Sequence, residues 1–269
     1  MRNYSFYGLS GNPFSKQALK AKDSFISNDH REMLNRLNFL KDVNGVGVFT
    51  AFAGMGKSFT LQCFGKELNP NLFNMHYVCL STISVIDFYK QFCEILGIDV
   101  KVGKTVMFKA IQERIYYYFK EKRCPLILAI DEAQYLNDGI LRDLKMLMNY
   151  KYDSLNCFSL ILSGEPNLNI TLQKPSNEAL KQRISVHYNF VGLNPDEVSE
   201  YVFHKITIAG GAKTIIGSDA IQTLTGFCQG NPRIIDNLMT NALILGAQLD
   251  KQTIDSEIIM AAANAQALG

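Results

Sequence analysis

From Val46 the chain reads Val-Gly-Val-Phe-Thr, then Ala51-Phe52-Ala53-Gly54-Met55-Gly56-Lys57-Ser58. An apolar run that turns through two glycines and then opens a helix can be accommodated by few folds. The turn directs backbone N–H groups toward an anion, and the helix N-terminus behind it adds partial positive charge. Residues Ala53, Gly54, Met55, Gly56, Lys57, Ser58 and Phe59 would form that cradle. A second apolar run, Leu126 to Ile130, is long enough for a buried strand and ends in Asp131-Glu132. Two acids at the carboxyl edge of a strand, near an anion loop, suit a metal and a water.

The first stretch resembles a Walker A phosphate loop and the second its usual acidic companion. In that reading Lys57 reaches the β- and γ-phosphates and Ser58 holds Mg²⁺. Asp131 supports the metal, and Glu132 orients or deprotonates a water. The two stretches together indicate a nucleoside triphosphate hydrolase using ATP and Mg²⁺. One position departs from the pattern: Ala51 stands where a first glycine is usual. Alanine does not tolerate a positive φ, so the first turn is expected to differ there.

The chain has 269 residues, 47% of them hydrophobic, enough for one large domain or a core with a smaller second one. A net charge of +2 neither requires nor excludes nucleic acid, so any basic patch must be local. Six cysteines lack metal-ligand spacing and several sit in apolar runs, which points to reduced thiols. His30, His76, His187 and His204 are scattered, with neither metal nor triad spacing. No signal peptide follows the N-terminal methionine, and no apolar run approaches the ~18 residues of a membrane helix, so a cytoplasmic protein without a membrane partner is expected.

Apolar runs predict strands at 46–51, 74–80, 125–131, 157–163 and 186–190. Helical spacing predicts helices at 29–42, with Asn28 as cap, and at 57–68, 84–97, 106–121 and 138–150. Alternation of this kind implies α/β architecture, with a mainly parallel sheet sandwiched by helices. Ligands of such sheets bind at the carboxyl ends of strands, where both motifs fall. After Phe190 the pattern becomes purely helical, at 195–209, 218–228, 232–249 and 254–266. The expected organisation is therefore a lead-in at 1–26, an α/β core at 27–190 and a helical lid at 191–269.

With this order in view, further short motifs carry a family resemblance. Phe6-Tyr7-Gly8-Leu9 with Asn12-Pro13-Phe14, Asp131-Glu132-Ala133-Gln134, Gly164-Glu165-Pro166, Gln182-Arg183-Ile184 and Gly230-Asn231-Pro232-Arg233 resemble AAA+ ATPases of the ExeA/GspA-like group. That group is similar to transposon-encoded target-selection ATPases of the TnsC and MuB type. The resemblance implies that Ser163 is a first sensor near the attacking water. It implies that Arg183 is presented to a neighbouring subunit's nucleotide and that Arg233 is a second sensor toward its own. The other reading of Arg183 is a surface or intrachain ion-pair arginine. The resemblance also implies a homo-oligomer, as a ring or helical filament, and the Tyr7 to Phe14 lead-in is expected near the adenine.

Two uses of the hydrolysis compete. In one, the protein oligomerises on double-stranded DNA and regulates transposition by selecting targets and activating a transposase. In the other, it is the ATPase module of a secretion or envelope assembly; a signalling ATPase acting on protein partners is a third. Relatives of the secretion kind usually continue into a membrane helix, and this sequence stops at Gly269, which leads to the expectation of a transposition role. DNA contact would then fall to Ser81, Thr82, Lys101, Lys104 and Thr105. The stretch 84–123 holds eight Lys/Arg against five Asp/Glu, and the Val100 to Thr105 loop suits phosphate rather than base contact. A solvated lysine-bearing loop is the plainer reading. The Tyr116 to Phe119 cluster suggests base stacking only weakly, because consecutive helix positions cannot share one face.

Overall fold

The computed structural model of the chain describes residues 2–15, 24–79, 84–100 and 102–267. These fall into two compact units, one of residues 32–53 and 57–190, the other of residues up to 31, 54–56 and 191 onward.

The larger unit is built on five parallel strands: β1 (Val46–Thr50), β2 (Asn74–Cys79), β3 (Leu126–Asp131), β4 (Phe158–Gly164) and β5 (Ile184–Asn189), in the order β2-β3-β4-β1-β5. Every residue of β1, β3 and β4 is buried, whereas the edge strands β2 and β5 are partly exposed, with β5 alternating. A strand covered on both faces must be apolar at every position, which explains the unbroken runs in the sequence. Val48, Leu128, Ile130, Leu160 and Leu162 join one core cluster, and Phe49, Ile127, Ala129 and Ile161 join another, as period-two alternation requires.

The first two helices in chain order are α1 (Arg2–Ser5) and α2 (Asn28–Val43). The helices α3 (Lys57–Glu67), α4 (Val85–Ile95), α5 (Lys104–Lys120) and α6 (Asp138–Leu147) follow the strands as the periodicity predicts. Three local expectations are corrected. Asn28 is the first residue of α2 rather than its cap, and Ser27 Oγ accepts from the His30 N–H at 3.2 Å. Strand β5 begins at Ile184, earlier than expected, because its register against β1 shifts between Val46 and Gly47. Two short helices, α7 (Asn167–Gln173) and α8 (Glu178–Lys181), lie between β4 and β5, where none was expected. They carry too few apolar positions to show a period: only Leu168 and Leu172 of the first and Leu180 of the second are buried.

The helical unit contains α9 (Pro195–Ile208), α10 (Ser218–Cys228), α11 (Pro232–Gln248) and α12 (Ser256–Ala267). Asn194 and Glu197 form a capping box at the start of α9. Tyr7, Leu9 and Phe14 from the lead-in are buried in the same cluster as Val202, Leu224, Leu238 and Ile258. Gly230 takes φ +73°, and a Cβ there would fall 2.5 Å from the Leu193 carbonyl oxygen, so only glycine fits this turn. Asn231 then caps α11 by accepting from the Arg233 N–H, and Pro232 occupies its first turn, where a missing donor costs nothing.

Candidate active site

Strand register assembles the acidic edge. Ile130 pairs with Leu162 and Phe49 with Ser163, so Asp131 and Ser163 end adjacent strands at one level. Asp131 is only 2% exposed, and both carboxylate oxygens are occupied. Oδ2 accepts from Ser58 Oγ and from the Tyr77 hydroxyl, each at 2.6 Å. Oδ1 accepts from Ser163 Oγ at 2.8 Å and from the Glu132 N–H at 3.1 Å. Burial alone would raise this carboxyl, but the four hydrogen bonds outweigh it and hold Asp131 below its ordinary value. Asp131 is therefore a carboxylate at every working pH. Ser163 is fully buried and spends its hydroxyl on Asp131.

The phosphate loop resolves the question of Ala51. Its φ is not positive; its N–H donates to the Gly164 carbonyl at 3.1 Å, and its own carbonyl accepts from Lys57 Nζ at 2.7 Å. Ala51 thus only extends the strand. The turns that need glycine fall later, at Gly54 (φ +90°) and Gly56 (φ +100°). A Cβ on Gly56 would meet nothing within 4 Å, whereas one on Gly54 would fall 2.5 Å from the Arg233 Cβ. Lys57 is 7% exposed, with its ammonium on the carbonyls of Ala51 and Phe52. Ser58 is exposed at the start of α3, while Met55 and Phe59 are half-buried and Ala53 is exposed. The hydroxyl of Ser58 beside an ionised, anchored Asp131 is an all-oxygen donor set, and it fits Mg²⁺.

Glu132 leaves the end of β3 in a left-handed conformation, φ +54°. Its Oε2 accepts from Gln134 Nε2 at 2.7 Å, and Gln134 Oε1 accepts from the Glu165 N–H at 3.0 Å. Sequence reasoning missed both Gln134 and Tyr77 as parts of the site. Gln134 closes the motif Asp131-Glu132-Ala133-Gln134, yet nothing in the sequence assigns it a role. Tyr77 sits on a partly exposed edge strand, and nothing in the residue pattern of that strand singles it out.

The predicted cations sit as follows. Arg183 forms an ion pair with Asp153 and is 14% exposed, and burial lowers its ordinary basicity. Arg233 is exposed in the first turn of α11. Of the residues expected at DNA, Ser81, Thr82 and Lys101 lie outside the described residues. Lys104 and Thr105 lie in the first turn of α5 rather than in a loop, and Lys104 Nζ is 2.6 Å from Asp143 Oδ2.

A five-stranded parallel sheet, a loop ending in Lys57-Ser58 and the acidic edge in register with it define a P-loop ATPase of the AAA+ class. Residues 40–172 match the family described as AAA domain. The chain is an AAA+ ATPase similar to General secretion pathway protein A of Aeromonas hydrophila, with 30% identity over 261 residues, 96% of this chain and 47% of that protein. It thus spans about half the length of that relative. Among solved structures it resembles Cdc6p from Pyrobaculum aerophilum, with TM-score 0.68 and 13% identity over 94% of this chain and 70% of that one. It also resembles the Aeropyrum pernix ORC1 protein in complex with DNA, with TM-score 0.63 and 11% identity over 94% and 68% of the two chains. At such identities these structures establish the fold alone.

Proposed function

We propose that the protein binds MgATP on the loop Ala53 to Phe59 and hydrolyses it through Glu132. The observation that carries this reading is the junction of Ser58 Oγ and Tyr77 OH on Asp131 Oδ2. Mg²⁺ held by Ser58 and Asp131 would neutralise charge on the β- and γ-phosphate oxygens. Lys57 exchanges its loop carbonyls for phosphate oxygens, which stabilise the ammonium more strongly than neutral acceptors do. Glu132 orients the attacking water and takes up its proton. Arg233 contacts the γ-phosphate of its own subunit, and Arg183 acts on a neighbour's nucleotide once a homo-oligomer forms.

Lys57→Ala is expected to abolish nucleotide binding. Glu132→Gln is expected to keep ATP bound while turnover falls by about 10²–10⁴, the usual contribution of a positioned base. Full turnover by Glu132→Gln would remove Glu132 from the mechanism.

The hydrolysis serves a secretion or envelope assembly, acting on protein partners. The similarity to General secretion pathway protein A over 96% of this chain supports that reading. No helix among the described residues is long and apolar enough to cross a membrane, so contact with an envelope would run through partners or through further chain. The second reading is regulation of transposition on duplex DNA, together with a transposase. It rests on the excess of basic residues between 84 and 123, where Lys109 is 79% exposed. Anisotropy titration of labelled duplex with an ATP analogue over a salt series separates the two. The DNA reading requires affinity that falls by about 0.9 log units per log unit of salt for each phosphate contacted. It also requires uniform weakening by Lys101→Ala with Lys104→Ala. An active ATPase without duplex affinity at low salt leaves the secretion reading.

A further inference from the structure

Gln134 lies in the short turn Ala133–Tyr135, two residues beyond the acid that the hydrolysis needs. Its amide has a donor end and an acceptor end, and both are used. The Glu165 N–H can only donate, so the amide oxygen must face it, at 3.0 Å. The amide nitrogen is then turned toward Glu132 Oε2, at 2.7 Å. The pairing is therefore directional and cannot be reversed. Glu132 itself is held at φ +54°, in the left-handed region that L-residues seldom adopt, so side chain and main chain are both constrained.

We propose that Gln134 is the positioning residue of the hydrolytic step, a clasp that fixes one oxygen of Glu132 and leaves the other for water. The proposal rests on the assignment of Glu132 as the water-orienting acid. A neutral amide suits this role because it orients the carboxylate without forming the ion pair that lysine or arginine would impose. The far end of the clasp is the backbone just beyond β4, the strand whose Ser163 hydroxyl holds Asp131. The metal-side acid and the water-side acid are thereby tied to one strand end, through Ser163 and Gln134 respectively. Gly164 makes the clasp possible: a Cβ there would fall 2.6 Å from Gln134 Oε1 and 3.3 Å from its backbone nitrogen.

The test is steady-state ATP hydrolysis and ATP-analogue binding by the full chain carrying Gln134→Met, Gln134→Glu, Glu132→Gln and the double variant Gln134→Met/Glu132→Gln. Gln134→Met is expected to lower kcat about 100-fold, the cost of displacing a reacting group by about 1 Å, with KM and analogue affinity unchanged. Gln134→Glu keeps the acceptor for Glu165 but turns a carboxylate on Glu132. It is expected to be equally slow, because two carboxylates then face each other where the amide had donated. A merely structural glutamine would instead lower kcat and analogue affinity together. Adding Gln134→Met to Glu132→Gln is expected to cost nothing further, since the clasp acts only through Glu132. Wild-type kcat in Gln134→Met beside an inactive Glu132→Gln overturns the clasp alone, and so do losses that multiply in the double variant. Full turnover by Glu132→Gln overturns the Glu132 assignment instead. Should Gln134→Met fail to bind the analogue, Gln134→Glu decides: slow turnover with analogue binding intact supports the clasp, and wild-type turnover overturns it.

Discussion

Tyr77 donates its hydroxyl to Asp131 at 2.6 Å, on the same oxygen that accepts from Ser58. Burial, then the bond and charge of Asp131, push this phenol far above its ordinary value, so it remains a donor throughout the working range. The acid proposed to support the metal is thus oriented by a residue on the neighbouring edge strand. Partners of this kind typically contribute 10–100-fold in metal affinity. Tyr77→Phe is therefore expected to weaken the apparent Mg²⁺ affinity of hydrolysis about tenfold, with kcat at saturating Mg²⁺ and metal-free ATP binding little changed. A magnesium titration of turnover checks this, and an unaltered midpoint would reduce Tyr77 to a packing residue.

Asp131 also sets a pH dependence. Its folded value lies below the unfolded one, so the stability it contributes is complete above the unfolded value, about 4. That contribution drains away as pH falls from there through the folded value. Ser163→Ala removes one of the four donors, moves the folded value back toward the unfolded one and should flatten the acid limb of the stability curve. Urea midpoints measured between pH 3 and pH 7 for the two proteins would show the difference, and parallel curves would contradict it.

Within the helical unit, buried Lys205 and partly buried Asp236 form an ion pair whose removal is predictable. Lys205 is 3% exposed, and its Nζ lies 2.6 Å from Asp236 Oδ1, which also accepts from the Tyr201 hydroxyl at 2.9 Å. Burial lowers the lysine and raises the aspartate, and each partner opposes the other's shift. Lys205→Met strands a buried carboxylate and is expected to cost about 3–5 kcal/mol. Adding Asp236→Leu should restore most of that loss, because well-packed apolar groups often replace a buried pair without penalty. Denaturant unfolding of the single and double variants checks it, and a mild single variant would mean that water reaches the pair.

The parts of this molecule that the sequence makes legible are those whose physics is local. Strands β1, β3 and β4 announce themselves because burial on both faces demands unbroken apolar runs. Gly54, Gly56 and Gly230 stand where the backbone turns through positive φ, and Asn231-Pro232 is a helix start in any context. Ser58 and Asp131 are readable as a pair because a loop and a strand end carry them to one sheet edge. The parts that are not legible depend on conformations that no residue type signals. A glutamate at φ +54° is unexpected on propensity, yet that turn brings Gln134 back onto Glu132. Helix α7 has seven residues and two buried apolar positions, too few to show a period. Lys104 reads as a free loop cation in the sequence and is engaged with Asp143, whose position in α6 only the packing of helices determines.

Arg183 presents the sharpest contrast between a role implied by resemblance and a position in the fold. It pairs with Asp153, in a loop where Lys151, Tyr152 and Asp153 all take positive φ, at 46°, 56° and 69°. Such conformations cost L-residues ~1–2 kcal/mol each, so the loop stays in place only while other contacts compensate. An arginine supplied to a neighbour's nucleotide is worth ~10³–10⁵ in rate, and to act so Arg183 must leave Asp153. Two variants separate the roles. Arg183→Ala should lower turnover at least ~10³-fold at concentrations where the protein assembles, while leaving the slow turnover of dilute protein unchanged. Asp153→Asn removes the competing charge and should raise turnover in the assembled state or shift its onset to lower protein concentration. Mixing Lys57→Ala with Arg183→Ala subunits should restore part of the activity, since each pair can build one complete composite site. Turnover independent of protein concentration, together with a simple loss of thermal stability in both single variants, would instead make the pair a structural brace.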